Sequence, residues 1–221
     1  MNIDLHTHSI LSHDGGIREK DYCNALKHGI LDCIAITDHN TIDFALSCQK
    51  KLGKKIIIGE EITTNEGHLI GLFLAEVIPA YQSIAETITQ IKEQNGLVYV
   101  PHPFDIMREG IGETLLQIHQ SDIDIVEVFN ARVVWRNQNA RAKKYAQNYN
   151  IRGASSSDAH SEKGLGYAYS KIRGPIEKNT LVTMLKNASY YKTYLPYWHY
   201  MMPKLNRLHK LLHHEKDSLS H

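Results

Sequence analysis

The amino-acid sequence predicts an α/β fold whose strands close into a barrel. Short β-branched runs alternate with amphipathic helical stretches, the pattern of a parallel sheet joined by crossover helices. Seven strand positions recur in this way, about the number a small closed barrel needs. Histidines and carboxylates reappear where one strand after another ends, and a parallel α/β barrel collects its functional residues at the carboxyl ends of its strands.

The first strand covers residues 2–7. Residues 17–29 read as a helix closed by Gly29, and 32–37 (DCIAIT) as a buried strand. The period then repeats. A helix over 41–52 ends at Gly53, and strands at 55–58 and 68–74 are joined by a polar turn at Asn65, Glu66 and Gly67. A helix over 83–94 closes at Asn95-Gly96 and leads into a strand at 97–100. A helix near 113–119, a strand at 123–129, a helix over 137–148 and a short strand around 152–155 complete the series. Beyond Gly174 and Pro175 the texture changes: 179–187 reads as one more helix, and 190–200 is dense in aromatics (Tyr190, Tyr191, Tyr194, Tyr197, Trp198, Tyr200). A basic helix follows over 204–212. The expectation is one domain with a helical extension, its aromatic belt packed on the barrel or on a second subunit as a homo-oligomer contact.

With 221 residues, 42% of them apolar, the chain can bury a core without disulfides. Lys plus Arg (25) nearly balance Asp plus Glu (24), so no global field points to nucleic acid or a membrane as the main partner. No run of 18 apolar residues occurs, and the N-terminus begins a strand rather than a charged leader with an apolar core, so a cytoplasmic protein is expected. Cys23, Cys33 and Cys48 lie in helix or strand interiors without CxxC spacing and read as reduced packing residues. Histidine is abundant at 14. Four of these (His209, His213, His214, His221) fall in a polar tail, apart from the chemistry.

The chemistry begins at Asp4-Leu5-His6-Thr7-His8. On a strand, His6 and His8 share one face about 7 Å apart and can share one ion. Further strand ends carry Asp38 and His39, Glu60 and Glu61, His68, His102, and Asp158 with His160. A lone histidine is more often a core or surface residue, but six such coincidences at one rim point to a metal site. Ser155, Ser156 and Ser157 do not sit in a GxSxG elbow, so a serine nucleophile is not expected.

Through DLHTHS, SHDG, AITDHN, GEEIT, GHLIGLFL, PHPFD, EVFNAR and SSDAH, over residues 3–173, the chain resembles the PHP superfamily, named for polymerase and histidinol phosphatase. The resemblance is specifically to its small stand-alone metal-dependent phosphoesterases. It implies a distorted (β/α)7 TIM-like barrel over residues 1–175, with a C-terminal helical extension and polar tail over 176–221. It also implies two or three divalent ions in a cleft at the carboxyl rim. His6, His8, Glu61 and Asp158 would surround one. Glu61 would bridge to a second held by His68 and His102, and Asp14, His39 and His160 would hold a third. Nitrogen and carboxylate ligands without sulfur suit Zn, Mn or Fe. Glu60 competes with Glu61, although the family's Gly-x-Glu motif selects Glu61 and turns Glu60 to the other face. His13 competes with Asp14, because many relatives have Ser-Asp-Gly where this chain has Ser12-His13-Asp14-Gly15; Asp14 is preferred, since Ser-x-Asp also occurs.

A multinuclear site lowers the pKa of a bridging water that attacks phosphorus in line, so metal-bound water and no side-chain nucleophile is expected. Arg132 and Arg108 are candidates to bind the substrate phosphate. The implied activity is metal-dependent hydrolysis of a small phosphorylated metabolite or nucleotide. Several cations, such as Arg18, Lys20, Lys143 and Lys144, fall in helices away from the motif loops, so long nucleic acid is not an expected partner. Two alternatives stand beside it: a nuclease on short oligonucleotides, with the segment 190–210 as its basic and aromatic track, and a non-catalytic metal-binding regulatory module.

Overall fold

Strands and helices alternate along the chain, and the strands form one nine-stranded sheet. The computed structural model describes residues 1–174 and 176–218. Pro175 and His221, singled out above, lie outside the described residues, as do the side chains of His213 and His214. In chain order the strands are β1 (Asn2–Asp4), β2 (Cys33–His39), β3 (Ile56–Thr64), β4 (Gly67–Leu72), β5 (Leu97–Val100), β6 (Ile125–Asn130), β7 (Arg152–Ser156), β8 (Ala168–Lys171) and β9 (Ser189–Lys192). The helices are α1 (Glu19–Lys27), α2 (Asp43–Leu52), α3 (Ile84–Glu93), α4 (Gly112–Ile118), α5 (Asn137–Asn148), α6 (Lys178–Leu185) and α7 (Met202–Ser218).

Two expectations are corrected. The sheet is mixed rather than parallel: β3 and β4 form an antiparallel hairpin, and β5 runs antiparallel to β4. Only Asn65 and Glu66 separate β3 from β4, and so short a link can join only antiparallel neighbours. Pairing with β4 also carries β3 well beyond the expected 55–58. The second correction concerns β8 and β9, which the sequence does not signal. β8 is an antiparallel neighbour of β1, and β9, from the aromatic stretch assigned to the helical extension, pairs with β8. Ala-Tyr-Ser-Lys is too short and polar to register as a strand, and β9 keeps three of its four residues in solvent, so neither shows a period. β1 in turn is shorter than 2–7: the chain leaves the ladder after Asp4, and Thr7 returns to bridge Ala159.

Alternate residues of each strand feed two cores. Ile34, Ile36, Ile56, Ile58, Val98, Val100, Val126 and Val128 pack outward under the helices. Ile3, Ala35, Ile57, Tyr99, Ile125 and Ala154 face inward, where α6 adds Leu181 and Leu185. Strands β7 and β9 end the ladder, and side chains bridge the gap between them. Ser155 Oγ donates to Tyr191 O (2.9 Å) and Tyr190 OH to Gly153 O (3.2 Å), while Ser155 N reaches Ser170 Oγ on β8 (2.9 Å). Gly153 is required for this closure, since a Cβ there would stand 2.8 Å from the Tyr190 hydroxyl. The result is a nearly closed barrel. The aromatic segment packs on it, with the Tyr194 ring 4.9 Å from Phe129 and Tyr200 OH donating to Val133 O (3.4 Å). Cys33 and Cys48 are buried and Cys23 half-buried, all as free thiols. No described helix is long and apolar enough to cross a membrane.

Candidate metal centre

All nine candidate ligands meet at one rim of the barrel. They come from the segments after β1, β5 and β7, from the end of β2, from β3, and from the start of β4, which reaches the same rim because it runs antiparallel. His6 and His8 are fully buried, with their Nε2 atoms 3.0 Å apart. The Glu61 carboxylate is the centre of the group. Its Oε2 lies 3.2 Å from His6 Nε2, 3.1 Å from His8 Nε2 and 3.5 Å from His39 Nε2. Its Oε1 lies 3.2 Å from both His68 Nδ1 and His102 Nε2. Asp158 Oδ1 stands 3.7 and 3.5 Å from the same His6 and His8 nitrogens. Asp14 Oδ2 is 3.1 Å from His160 Nε2 and 3.8 Å from His39 Nε2. Four overlapping groups result: His8-Asp14-His39-His160, His6-His8-Asp158, His6-Glu61-His102 and His39-Glu61-His68, each with its ligand atoms within 4.8 Å of one another. His8 and His39 thus each serve two groups.

The competing positions separate cleanly. Glu61 continues the inward row from Ile57, whereas Glu60 shares the outward row with Ile58 and Ile62. Glu60 Oε2 accepts from Ile78 N (2.8 Å), and its buried Oε1 has no hydrogen-bond partner. His13 is exposed and outside the cluster, with Nε2 2.5 Å from Arg207 Nη2.

Burial pushes the Glu60 carboxyl up to about 7 from 4.5, against the Ile78 hydrogen bond. The native state therefore keeps a proton that the unfolded chain gives up. Stability from this group is complete below about 4.5 and is lost as pH rises through about 7, by up to roughly 3 kcal/mol. Glu60→Gln should remove this decline. Denaturant titrations at about pH 5 and about pH 8 check it, and the expectation fails if parent and variant lose the same stability between them.

Around the candidate ligands lies a shell of buried acceptors. Asp38, one of the strand-end carboxylates, does not join the ligands: it accepts from Ser9 N (2.6 Å) and Ser9 Oγ (2.5 Å), pinning the chain just after His8. Asp4 does the same ahead of Asp158, accepting from Ser157 Oγ (2.5 Å) and Ser157 N (3.1 Å). Ser156 hydrogen-bonds with the Tyr99 hydroxyl (2.9 Å), so all three serines are engaged structurally. Glu127 lies outside the expected ligand set. Its Oε1 accepts from His6 Nδ1 (3.1 Å) and Tyr99 OH (2.8 Å), and its Oε2 from His102 N (2.6 Å) and Asn130 Nδ2 (2.8 Å). The available signal was a lone carboxylate inside an otherwise apolar strand, which is buried only when paired.

Backbone strain marks the same places. His102 (φ 27°) and Asp158 (φ 52°) occupy the left-handed region, where a non-glycine residue costs on the order of 1–3 kcal/mol. Glu127 holds the His102 N–H, and His6 O accepts from Asp158 N (3.0 Å).

Burial opposes charge on His6, but the Asp158, Glu61 and Glu127 carboxylates outweigh it and raise its pKa well above the usual imidazole value. His8, buried beside Asp158 and Glu61, is raised to about 9. Burial prevails at His39 and His160, which fall to about 3 and about 4 and stay neutral. Asp158 is held far below the carboxylate range, since Arg132, His6 and Arg108 overcome its desolvation. Both arginines face the cluster rather than open solvent. Arg108 Nη1 pairs with Asp158 Oδ2 while its Nη2 is 2.8 Å from Asp105. Arg132 Nη1 is 3.1 Å from Asp158 Oδ1 and 3.0 Å from His160 Nδ1.

The donor set fits divalent transition metals: imidazole and carboxylate without sulfur. Two basic nitrogens 3.0 Å apart are an approach that a shared cation satisfies, and the buried Nδ1 atoms of His39 and His102 have no hydrogen-bond partner.

Residues 4–193 match the PHP domain family. The chain belongs to that family. An uncharacterized protein of Methanocaldococcus jannaschii is 37% identical over 183 residues, which cover 78% of this chain and 70% of the relative. A second uncharacterized protein of that organism is 39% identical over 145 residues, 59% of this chain and 82% of its own. In fold, this PHP domain resembles a two-domain protein from Bacteroides vulgatus described as containing a predicted PHP-like metal-dependent phosphoesterase. The TM-score is 0.70 at 18% identity, over 87% of this chain and 65% of that one. It also resembles the lesion-specific endonuclease PfuEndoQ from Pyrococcus furiosus, with a TM-score of 0.59 at 16% identity, over 86% of this chain and 57% of that one. The His, Asp and Glu clusters of this PHP domain could hold metal ions.

Proposed function

We propose that this PHP domain hydrolyses a small phosphorylated metabolite or nucleotide. The observation that carries the reading is the convergence of Arg108 and Arg132 on Asp158, the carboxylate that borders the His6-His8 pair. Two guanidiniums beside a metal-ligating cluster offer a phosphate the bidentate donors it prefers. In this reading His6, His8, Glu61 and Asp158 hold one ion, Glu61, His68 and His102 a second, and Asp14, His39 and His160 a third, as Zn, Mn or Fe. When bound, such ions supply an activated water at neutral pH and charge for the phosphoryl oxygens. The residues do the rest. Arg108 and Arg132 transfer donors from Asp158 to the phosphate and orient it. Ser155, Ser156 and Ser157 are tied to Tyr191, Tyr99 and Asp4, which supports water rather than a side chain as nucleophile.

The small-substrate reading gains support from α7. Arg207 and Lys210, two cations of the segment that the nuclease alternative would use as its track, are engaged with His13 and with backbone carbonyls of the loop 12–15. Turnover of monophosphates and dinucleotides should therefore exceed that of long single strands, and log kcat/KM should change little with log salt, whereas extended phosphate contacts give a slope of about −0.7 per neutralised phosphate. Steady-state kinetics across a panel of phosphomonoesters, dinucleotides and RNA at several salt concentrations makes the test. Robust cleavage of long strands with a steep salt slope would move the assignment to a nuclease. Metal analysis of the same preparations should return two to three equivalents, and a value near zero after reloading would overturn the metal site.

A further inference from the structure

Helix α7 lies beyond the stretch that matches the family, yet it grips the loop that carries Asp14. Asn206 Nδ2 donates to Asp14 O (2.8 Å) and to His160 O (3.0 Å), so one side-chain amide ties together two segments far apart in sequence. Lys210 Nζ donates to Ser12 O and to Gly15 O (2.8 Å). Pro203, Asn206, Arg207 and Lys210 follow the spacing of one helix face, and Pro203 is buried. The loop accommodates the helix closely: a Cβ on Gly16 would stand 3.0 Å from both amide atoms of Asn206 and 3.1 Å from His160 O. The loop itself has little regular structure, a Ser9–Ile17 bridge and the turn bonds Ser12 N to Ser9 O (3.2 Å) and Gly15 N to Ser12 O (3.2 Å). Asp38 holds Ser9 and Ser12 Oγ donates to Asp14 Oδ1 (3.0 Å); to these the helix adds the amide that ties the Asp14 and His160 backbones to each other.

We propose that Asn206 and Lys210 are positioning residues: α7 clamps the 12–16 loop against His160 and thereby sets the affinity of the Asp14-His39-His160 group for its ion. This rests on the reading that those three residues hold a third ion. Asn206 and Lys210 donate to Ser12 O, Asp14 O, Gly15 O and His160 O, so release of the clamp acts on that side of the site rather than on Glu61, His68 or His102. The third ion should respond alone.

The experiment uses the full chain and Mn²⁺ or Zn²⁺ alone as the probe. Asn206→Ala, Lys210→Ala and the double variant are titrated calorimetrically, with hydrogen exchange followed over residues 9–16. Lys204→Ala, an exposed position, is the control, and Lys210→Arg the conservative variant. The double variant should keep the tighter equivalents while the weakest loses affinity by about 10–100-fold, the usual cost of removing outer support from a ligand. Residues 9–16 should exchange faster, the control should match the parent, and Lys210→Arg should restore most of the affinity. A third equivalent of unchanged affinity in the double variant overturns the clamp while leaving the three-ion reading standing. A parent that takes up only two ions overturns both. Loss at every site, with a melted fold, would mark α7 as structural only; in that event Asn206→Ala, which removes two hydrogen bonds and no charge, repeats the comparison.

Discussion

Glu61→Gln is expected to lower kcat/KM by on the order of 10²–10³-fold, the scale of removing one preorganised electrostatic group from an active site. Five imidazoles lie within 3.5 Å of this carboxylate: His6, His8, His39, His68 and His102. Glutamine keeps the volume and one acceptor oxygen. It removes the negative charge that two ions would share, and it turns an N–H donor toward nitrogens whose lone pairs must be free to bind metal. Metal content should fall together with activity, since the same carboxylate borders two of the four ligand groups. Glu60→Gln is the matched comparison. Its side chain lies on the outward face against Ile78, so turnover should stay near that of the parent. Kinetics and metal analysis on the same preparations decide the matter. An inactive Glu60→Gln beside an active Glu61→Gln would mean that β3 presents the opposite face to the site.

The parts of the fold legible in the sequence are those written in local pattern. β2 is a buried β-branched run and α5 is found at the residues its periodicity gives. β8 and β9 are held by partners, β1 for the one and Tyr169-Tyr191 stacking at 4.8 Å between the two, and nothing in four half-exposed residues reports a partner more than 150 positions away. The ligand cluster was legible because histidines and carboxylates are rare at buried strand ends, so their recurrence carries information. Glu127 was not, because its meaning lies in Tyr99, His102 and His6, on other segments that approach it only in the closed barrel. The C-terminal helix is legible as basic, but the targets of Asn206 and Lys210 are backbone carbonyls, which leave no trace in residue type.

Glu127 carries the other large expected effect, and two substitutions separate its two roles. Glu127→Ala strips the acceptor from four donors at once, in a position almost fully buried. Breaking a buried charged network by removing one partner costs about 3–5 kcal/mol, so denaturant unfolding should show a loss of that size. Glu127→Gln keeps the shape but cannot satisfy the site. Oε1 serves His6 and Tyr99 while Oε2 serves His102 N and Asn130, so either orientation of the amide sets an NH₂ group against two donors. The ring of His6 suffers directly. With its Nδ1 proton on Glu127, the ring would leave Nε2 free for an ion held beside Glu61 and His8; without that acceptor, the tautomer and ring angle are no longer fixed. Metal affinity and turnover should fall about 10–100-fold in Glu127→Gln, with a smaller loss of stability than in the alanine variant. Tyr99→Phe, which removes one donor and keeps the ring, should cost about 1 kcal/mol and leave metal binding near that of the parent. Should Glu127→Gln bind metal and turn over like the parent, then His6 is oriented by the ions and Glu61 alone, and the carboxylate on β6 serves the barrel rather than the site.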